Sequence, residues 1–260
     1  MKILVQFPTR GRINQFSRAL HRWQNTRTTD AVHFNIIIDR DDNVMNKASV
    51  LSSIQQWGNL TINIIEPCGK IGAINYGLGE ASRKYDIIVL ASDDMMPVDM
   101  GWDERIIAEM YKHYPEKDGV LWFYDGHTKD LNTLSILGTE YFRRFGYIYH
   151  PSYKGLWCDN EFMDVAQMLG KQTFIPDCII KHEHPIWTNR HGDQLNIRDN
   201  NNYDHDKQNY ERRKQHQFDI VILTDSDTTE PSGDVQQVDS KPEQANPKRR
   251  GRRPRSVVQP

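Results

Sequence analysis

Short, nearly continuous apolar runs alternate along the chain with stretches in which apolar residues recur every three or four positions. Residues 2–7, 33–38, 60–65 and 86–91 are runs of the first kind. Between and after them, four sets each mark one face of a helix: Ile13, Phe16, Leu20 and Trp23; Ala48, Leu51 and Ile54; Ile71, Ile74, Leu78 and Ala81; and Ile106, Ile107, Met110 and Tyr114. A strand that is apolar on both sides is buried on both sides, and helices with one apolar face are what cover it. The pattern predicts an α/β fold with a parallel sheet between two helical layers. Beyond residue 120 the regularity loosens. Aromatic-rich runs at 120–124 and 173–175 predict strands, and residues 161–169 predict one helix.

The apolar pattern stops near residue 224. Residues 224–260 hold no aromatic side chain, begin with the acidic stretch TDSDTTEPSGD and later carry PKRRGRRPR. A segment so polar cannot bury enough surface to offset the entropy of ordering, so a disordered tail is expected after a globule at 1–223. Across 260 residues, 33 Lys and Arg against 35 Asp and Glu leave a net charge of −2, which excludes a wholly basic binder. The three cysteines, Cys68, Cys158 and Cys178, are far apart and form no Cys-x-x-Cys, so neither a disulfide scaffold nor a zinc ribbon is expected. No run approaches the ~18 apolar residues of a membrane span, and the first apolar stretch is too short for a secretory leader. A cytoplasmic protein is the expectation.

Carboxylates gather where strands end. Asp39 closes the second run and is followed by Asp41 and Asp42, while Asp93 and Asp94 follow the fourth. In open α/β sheets ligands bind beyond the carboxyl ends of strands. For Asp41 and Asp42 the plainer role is turn formation and helix capping. Asp93 and Asp94 precede Met-Met-Pro instead of a polar turn, and a carboxylate pair there suits a hard divalent cation that also holds a diphosphate. Later, His182 and His184 alternate at the end of a short apolar run, where two imidazoles on one strand face can supply a metal ligand. Asp159 and Glu161 stand at the start of the predicted helix. Capping explains at least one of them and leaves the other to act as a general base.

The order FPTRGR, IIID, GKIGAINYGLGEAS, DIIVLASDDMMP, GLWCDNEF and IIKHEHP, spread over residues 2–190, resembles the GT-A glycosyltransferases of family 2. The resemblance implies a Rossmann-like GT-A sheet, with a nucleotide-sugar half at 1–100 and an acceptor half at 101–223. It implies that Pro8, Thr9, Arg10 and Asp39 hold the nucleoside, with Lys70 and Asn75 as further polar contacts. The family's Asp-x-Asp motif matches Ser92, Asp93 and Asp94, with serine in place of the first acid. This leaves metal contact to Asp94 and ribose or metal to Asp93. His182 or His184 matches the late histidine that completes the metal site. Asp159 falls where the family's catalytic base belongs, although the acidic residue that usually precedes it is Cys158 here. The implied reaction is an inverting transfer from a nucleoside-diphosphate sugar, expected to be a UDP-sugar, to a hydroxyl, with Mn²⁺ or Mg²⁺ as cofactor.

The tail bears on the acceptor. Lys248, Arg249, Arg250, Arg252, Arg253 and Arg255 surround Gly251 and Pro254 in a segment that resembles an AT-hook, interrupted by one extra arginine. Arginines favour the narrow minor groove of A·T-rich double-stranded DNA, although a generic basic tail binds any polyanion. A glycosyltransferase with such a tail is expected to glycosylate DNA, as some bacteriophage enzymes do on hydroxymethylated pyrimidines. A glycan, polysaccharide or protein acceptor is the alternative, and a non-catalytic DNA-binding protein would leave Asp94, Asp159 and His182 without a use.

Overall fold

The computed structural model describes residues 1–184 and 201–220. Pro185, the expected disordered tail and its basic residues lie outside the described residues. The chain runs β1 (Ile3–Thr9), α1 (Ile13–Thr26), β2 (Val32–Asp39), α2 (Ala48–Gln55), β3 (Leu60–Ile65), α3 (Gly69–Asn75), α4 (Leu78–Ala81), β4 (Ile87–Leu90), β5 (Met95–Pro97), α5 (Trp102–His113), β6 (Val120–Phe123), β7 (Ile136–Gly138), α6 (Thr139–Arg143), α7 (Cys158–Met168), β8 (Gln172–Ile175), β9 (Ile180–His182) and α8 (Tyr203–Gln215). A 3₁₀ turn at Gln217–Asp219 follows.

Seven strands form one sheet in the order β3-β2-β1-β4-β7-β6-β8. The first four are mutually parallel, and β6 and β8 are parallel to each other. Between them β7 runs antiparallel to both neighbours, so the sheet is mixed where the sequence predicted it parallel. β5 and β9 pair antiparallel in a separate ribbon. Alternation along the strands feeds two cores. Ile3, Val5, Phe7, Ile87 and Val89 pack with Phe16, Leu20, Trp23, Val50, Ile54, Ile106 and Met110. Leu4, Ile88 and Leu90 pack on the opposite side with Ile74, Leu78, Tyr141, Phe142 and Phe162. Each such buried side chain contributes on the order of 1.5–3 kcal/mol by leaving water.

The chain winds outward from β1 through β2 to β3, then returns across the sheet to place β4 beside β1. The carboxyl ends of β1 and β4 therefore flank the point where strand order reverses, the usual ligand crevice of such sheets. Pro8 is tolerated in a central strand because β1 pairs with β4 only through Gln6, before the proline is reached.

Two elements differ from the sequence expectation for local reasons. The single helix predicted over 71–81 is two, because Tyr76 is extended and Gly77 adopts φ 72°, a left-handed turn that glycine enters readily. The helix predicted from residue 161 begins at Cys158, after Trp157 with φ 60°.

Candidate active site

The crevice between β1 and β4 is built by polar side chains at the strand ends. Thr9 Oγ1 donates to Asp93 Oδ1 at 3.0 Å, tying the end of β1 to the loop after β4. Arg10 donates to Asp39 at 2.7 Å and to both oxygens of Asp41 at 2.5 and 3.0 Å. Asp41 and then Asp39 hold the guanidinium pKa above its ordinary value, and Arg10 in turn holds the exposed Asp41 carboxyl below the usual range. Asp39 Oδ1 is buried with no hydrogen-bond partner among the described residues, an acceptor aimed away from the arginine. Asp42 has the plainer role its position predicted. It accepts from Val44 N and Met45 N at 2.9 and 3.0 Å and from Gly11 N at 2.7 Å, joining two loops of the crevice.

The ribbon β5–β9 brings the late histidine to the second carboxylate. Register pairs Met95 with His182, and Glu183 N donates to the Asp94 carbonyl at 2.7 Å. Helix α1 holds the ribbon in place, with Trp23 Nε1 on the Met95 carbonyl at 2.8 Å, Arg22 on the Pro97 carbonyl at 2.7 Å, and Arg18 paired with Glu183. His182 Nε2 lies 3.5 Å from Asp94 Oδ1, and the Ser92 hydroxyl donates to the same oxygen. Burial raises the Asp94 pKa, but His182 and then Ser92 outweigh it and hold the carboxyl ionised, well below the usual range. The His184 ring lies 5.6 Å from that of His182, and burial lowers its pKa.

Among the described residues no group of three His, Cys, Asp or Glu side chains converges to hold a metal. Of the expected set, the structure brings Asp94 and His182 together and leaves His184 beyond the strand end. An ionised carboxylate beside an imidazole fits a divalent cation that takes its remaining ligands from a diphosphate and water. His182 Nδ1, on the far side of that ring, is buried with no hydrogen-bond partner among the described residues.

Asp159 is the second residue of α7. Its Oδ1 accepts from Asn160 N at 3.0 Å, and burial raises its pKa while Lys70 and, more weakly, His182 pull it back. His182 acts on the charge of both Asp94 and, more weakly, Asp159, and Lys70 acts on Asp159. Lys70 Nζ donates to the Gly155 carbonyl at 3.1 Å.

Two expected site residues have structural partners instead. Both oxygens of Glu161 are taken: Arg213 donates to them at 2.7 and 2.9 Å, and Tyr153 OH donates at 2.7 Å. Its side chain is buried, so the helix start offers Asp159 alone as a base. Asn75 donates to the Tyr149 carbonyl at 2.7 Å and accepts from Ile148 N at 2.9 Å, so it pins the loop before α7 where a nucleotide contact was expected. Sequence reasoning missed Arg213 and Asp206 on α8, whose helix carries no apolar stripe. It also missed Gln6, whose amide donates to the carbonyls of Ile74 and Tyr76 at 3.1 and 3.0 Å and anchors the end of α3.

No protein-family model matches the sequence, and no curated protein matches it. Solved structures do match the fold. S. aureus TarS 1-349 in complex with UDP-GlcNAc superposes with a TM-score of 0.58 at 14% identity, over 75% of this chain and 61% of that one. The mannosyltransferase PcManGT from Pyrobaculum calidifontis, in complex with GDP-Man and Mn²⁺, gives 0.52 at 16% identity over 70% and 56%. GalNAc-T7 with UDP, GalNAc and Mn²⁺ gives 0.54 at 14% identity over 70% and 43%. The fold is that of the GT-A glycosyltransferases. The chain spans less than two thirds of the length of each of these structures.

Proposed function

We propose that the chain is a glycosyltransferase that moves a sugar from a nucleoside-diphosphate sugar, with a UDP-sugar as the expected donor, to a hydroxyl acceptor in the cytoplasm. The observation that supports this reading is the pair of Asp94 and His182, 3.5 Å apart in the loop beyond β4 and at the end of β9, with Asp159 close enough to feel the His182 charge. Structural neighbours crystallised with GDP-Man or UDP-GlcNAc support a nucleotide-sugar donor, and the Mn²⁺ in two of them supports a divalent cofactor.

In this reading Asp39, Arg10 and Thr9 line the nucleoside side, where the unpaired Asp39 Oδ1 is available as an acceptor. Asp94 and His182, with His184 nearby, would hold Mn²⁺ or Mg²⁺. When bound, the cation neutralises charge on the departing diphosphate. Asp159 takes the proton of the acceptor hydroxyl as its oxygen bonds to the anomeric carbon. The bond from that carbon to the diphosphate breaks, its electron pair leaves with the diphosphate, and configuration inverts. A base with a raised pKa suits that task better than an ordinary carboxylate.

The basic residues from Lys248 to Arg255 favour double-stranded DNA as acceptor over a glycan, polysaccharide or protein. The test is a donor screen with Mn²⁺ that follows release of nucleoside diphosphate, with and without hydroxymethylated duplex DNA. Release from a UDP-sugar, stimulated by that DNA, is the expected outcome. Release stimulated by a sugar acceptor and not by DNA overturns the acceptor, and no release from any nucleotide sugar overturns the enzyme.

A further inference from the structure

We infer that helix α8 is a clamp that sets the position of the catalytic base, with Asp206 and Arg213 as its positioning residues. The inference rests on the reading of Asp159 as that base. Asp206 is fully buried, and its carboxylate accepts from the backbone N–H groups of Lys154, Gly155 and Leu156 at 3.0, 2.9 and 2.9 Å. One acid thus gathers three consecutive amides of the loop that leads into α7. About two turns of helix further on, Arg213 grips Glu161 with two hydrogen bonds. Asp159 lies between these two grips. The same loop is held from the opposite side by Lys70 on the Gly155 carbonyl.

Between the grips stands Trp157 in a left-handed conformation at φ 60°, which a bulky side chain adopts only when its surroundings impose it. Tyr203 and Tyr210 of α8 pack on its ring with centroids 5.7 and 5.2 Å away, and Lys207 lies 5.9 Å over it. The residue that turns the chain into α7 is therefore braced by α8 as well. A base acts only within hydrogen-bond reach of the proton it removes, and a misplacement near 1 Å costs on the order of 10²-fold in rate. A helix with no apolar stripe that sets one buried charge on the loop before α7 and another on the first turn of α7 is placed to supply that accuracy.

The test compares Asp206→Asn and Arg213→Lys with Asp159→Asn and with Asp103→Asn in the full chain. Asp103 is an equally buried carboxylate that accepts from Thr28 N and Thr29 N at 3.0 and 2.8 Å, on the far side of the sheet from α7, and serves as a structural control. Rates are taken well below each melting transition and normalised to donor-binding stoichiometry. Asp206→Asn and Arg213→Lys should each lower kcat by ~10–100-fold with donor KM within about twofold of wild type, whereas Asp103→Asn lowers Tm alone. If Asp206→Asn does not fold, Arg213→Lys, which keeps the charge, decides. Wild-type kcat in the folded clamp variants, beside an inactive Asp159→Asn, overturns the clamp and leaves the base standing. Wild-type turnover in Asp159→Asn overturns both.

Discussion

The parts of the chain before and after α5 rely on apolar burial and on directed hydrogen bonds in different proportions. From β1 to β4 the apolar residues alternate or recur at helical spacing, and burial on two faces of the sheet places the strand ends that carry Thr9, Asp39 and Asp94. Beyond α5 no described strand is longer than four residues. There, buried carboxylates do the placing. Asp125 gathers His127 N, Thr128 N and the Thr133 hydroxyl, Asp206 gathers three amides, and Glu161 holds Arg213. Hydrophobic burial is non-directional and tolerant of small changes, while a buried carboxylate is directional and strongly penalised when left unpaired. In the proposed reading, Asp94 thus follows a strand fixed by burial, and the proposed base Asp159 follows a loop fixed by directed hydrogen bonds.

The largest expected effect lies before α5. Asp94→Ala, or chelation of the cation, should remove turnover by at least ~10³-fold, and the Asp94 variant should retain its circular dichroism spectrum. Retained Mn²⁺-dependent activity would move the metal elsewhere. Next, Glu161→Ala removes the buried partner of Arg213 and leaves it only the exposed Asp219 at 2.9 Å and the Phe218 carbonyl, so urea unfolding should show a loss of up to about 3–5 kcal/mol. The matching change before α5, Arg10→Ala, removes a partly exposed pair and should cost about 0–1 kcal/mol. Equal losses would erase the contrast between the regions.

Trp157→Gly separates backbone from ring. Glycine relieves about 1–2 kcal/mol of left-handed strain, but the variant forfeits the packing of Trp157 against Tyr203 and Tyr210. A small net fall in Tm is expected, and a rise would show that the ring contributes nothing. The smallest effect is a pH dependence. The pKa of Asp159 is raised in the folded state, so its favourable contribution is present at low pH and is lost as pH rises through the folded value. Asp159→Asn should therefore raise Tm relative to wild type more near about pH 7 than near about pH 4. A difference of the opposite sign would mean that Asp159 is held ionised. For Asp94, whose pKa is lowered, the sign reverses: its stabilisation is present at neutral pH and lost on acidification.

The same contrast explains what could be read in the chain. The strands from β1 to β4 and their helices were legible because periodicity reports burial directly. Asp42 was legible as a cap because its partners Val44 and Met45 are two and three residues away. Arg213 and Asp206 were not, because their partners lie about fifty residues earlier, at separations of 52 for Glu161 and 50 to 52 for the loop amides. The helix that carries them, YDHDKQNYERRKQ, is polar almost throughout and gives periodicity nothing to report. The partners of Glu161 and Asn75 were hidden for the same reason: residue type shows that a group can bind a ligand, while only the fold shows which protein groups it already bonds.

Asp159→Asn, assayed for sugar transfer and for donor affinity on the same preparation, tests the proposed chemistry most directly. Loss of a positioned base predicts a fall in kcat of ~10²–10⁴-fold, with the donor Kd unchanged because the proposed nucleoside contacts lie at the ends of β1 and β2. A variant that transfers sugar at the wild-type rate, or one that loses donor affinity in proportion to rate, would contradict the assignment of Asp159 as the base.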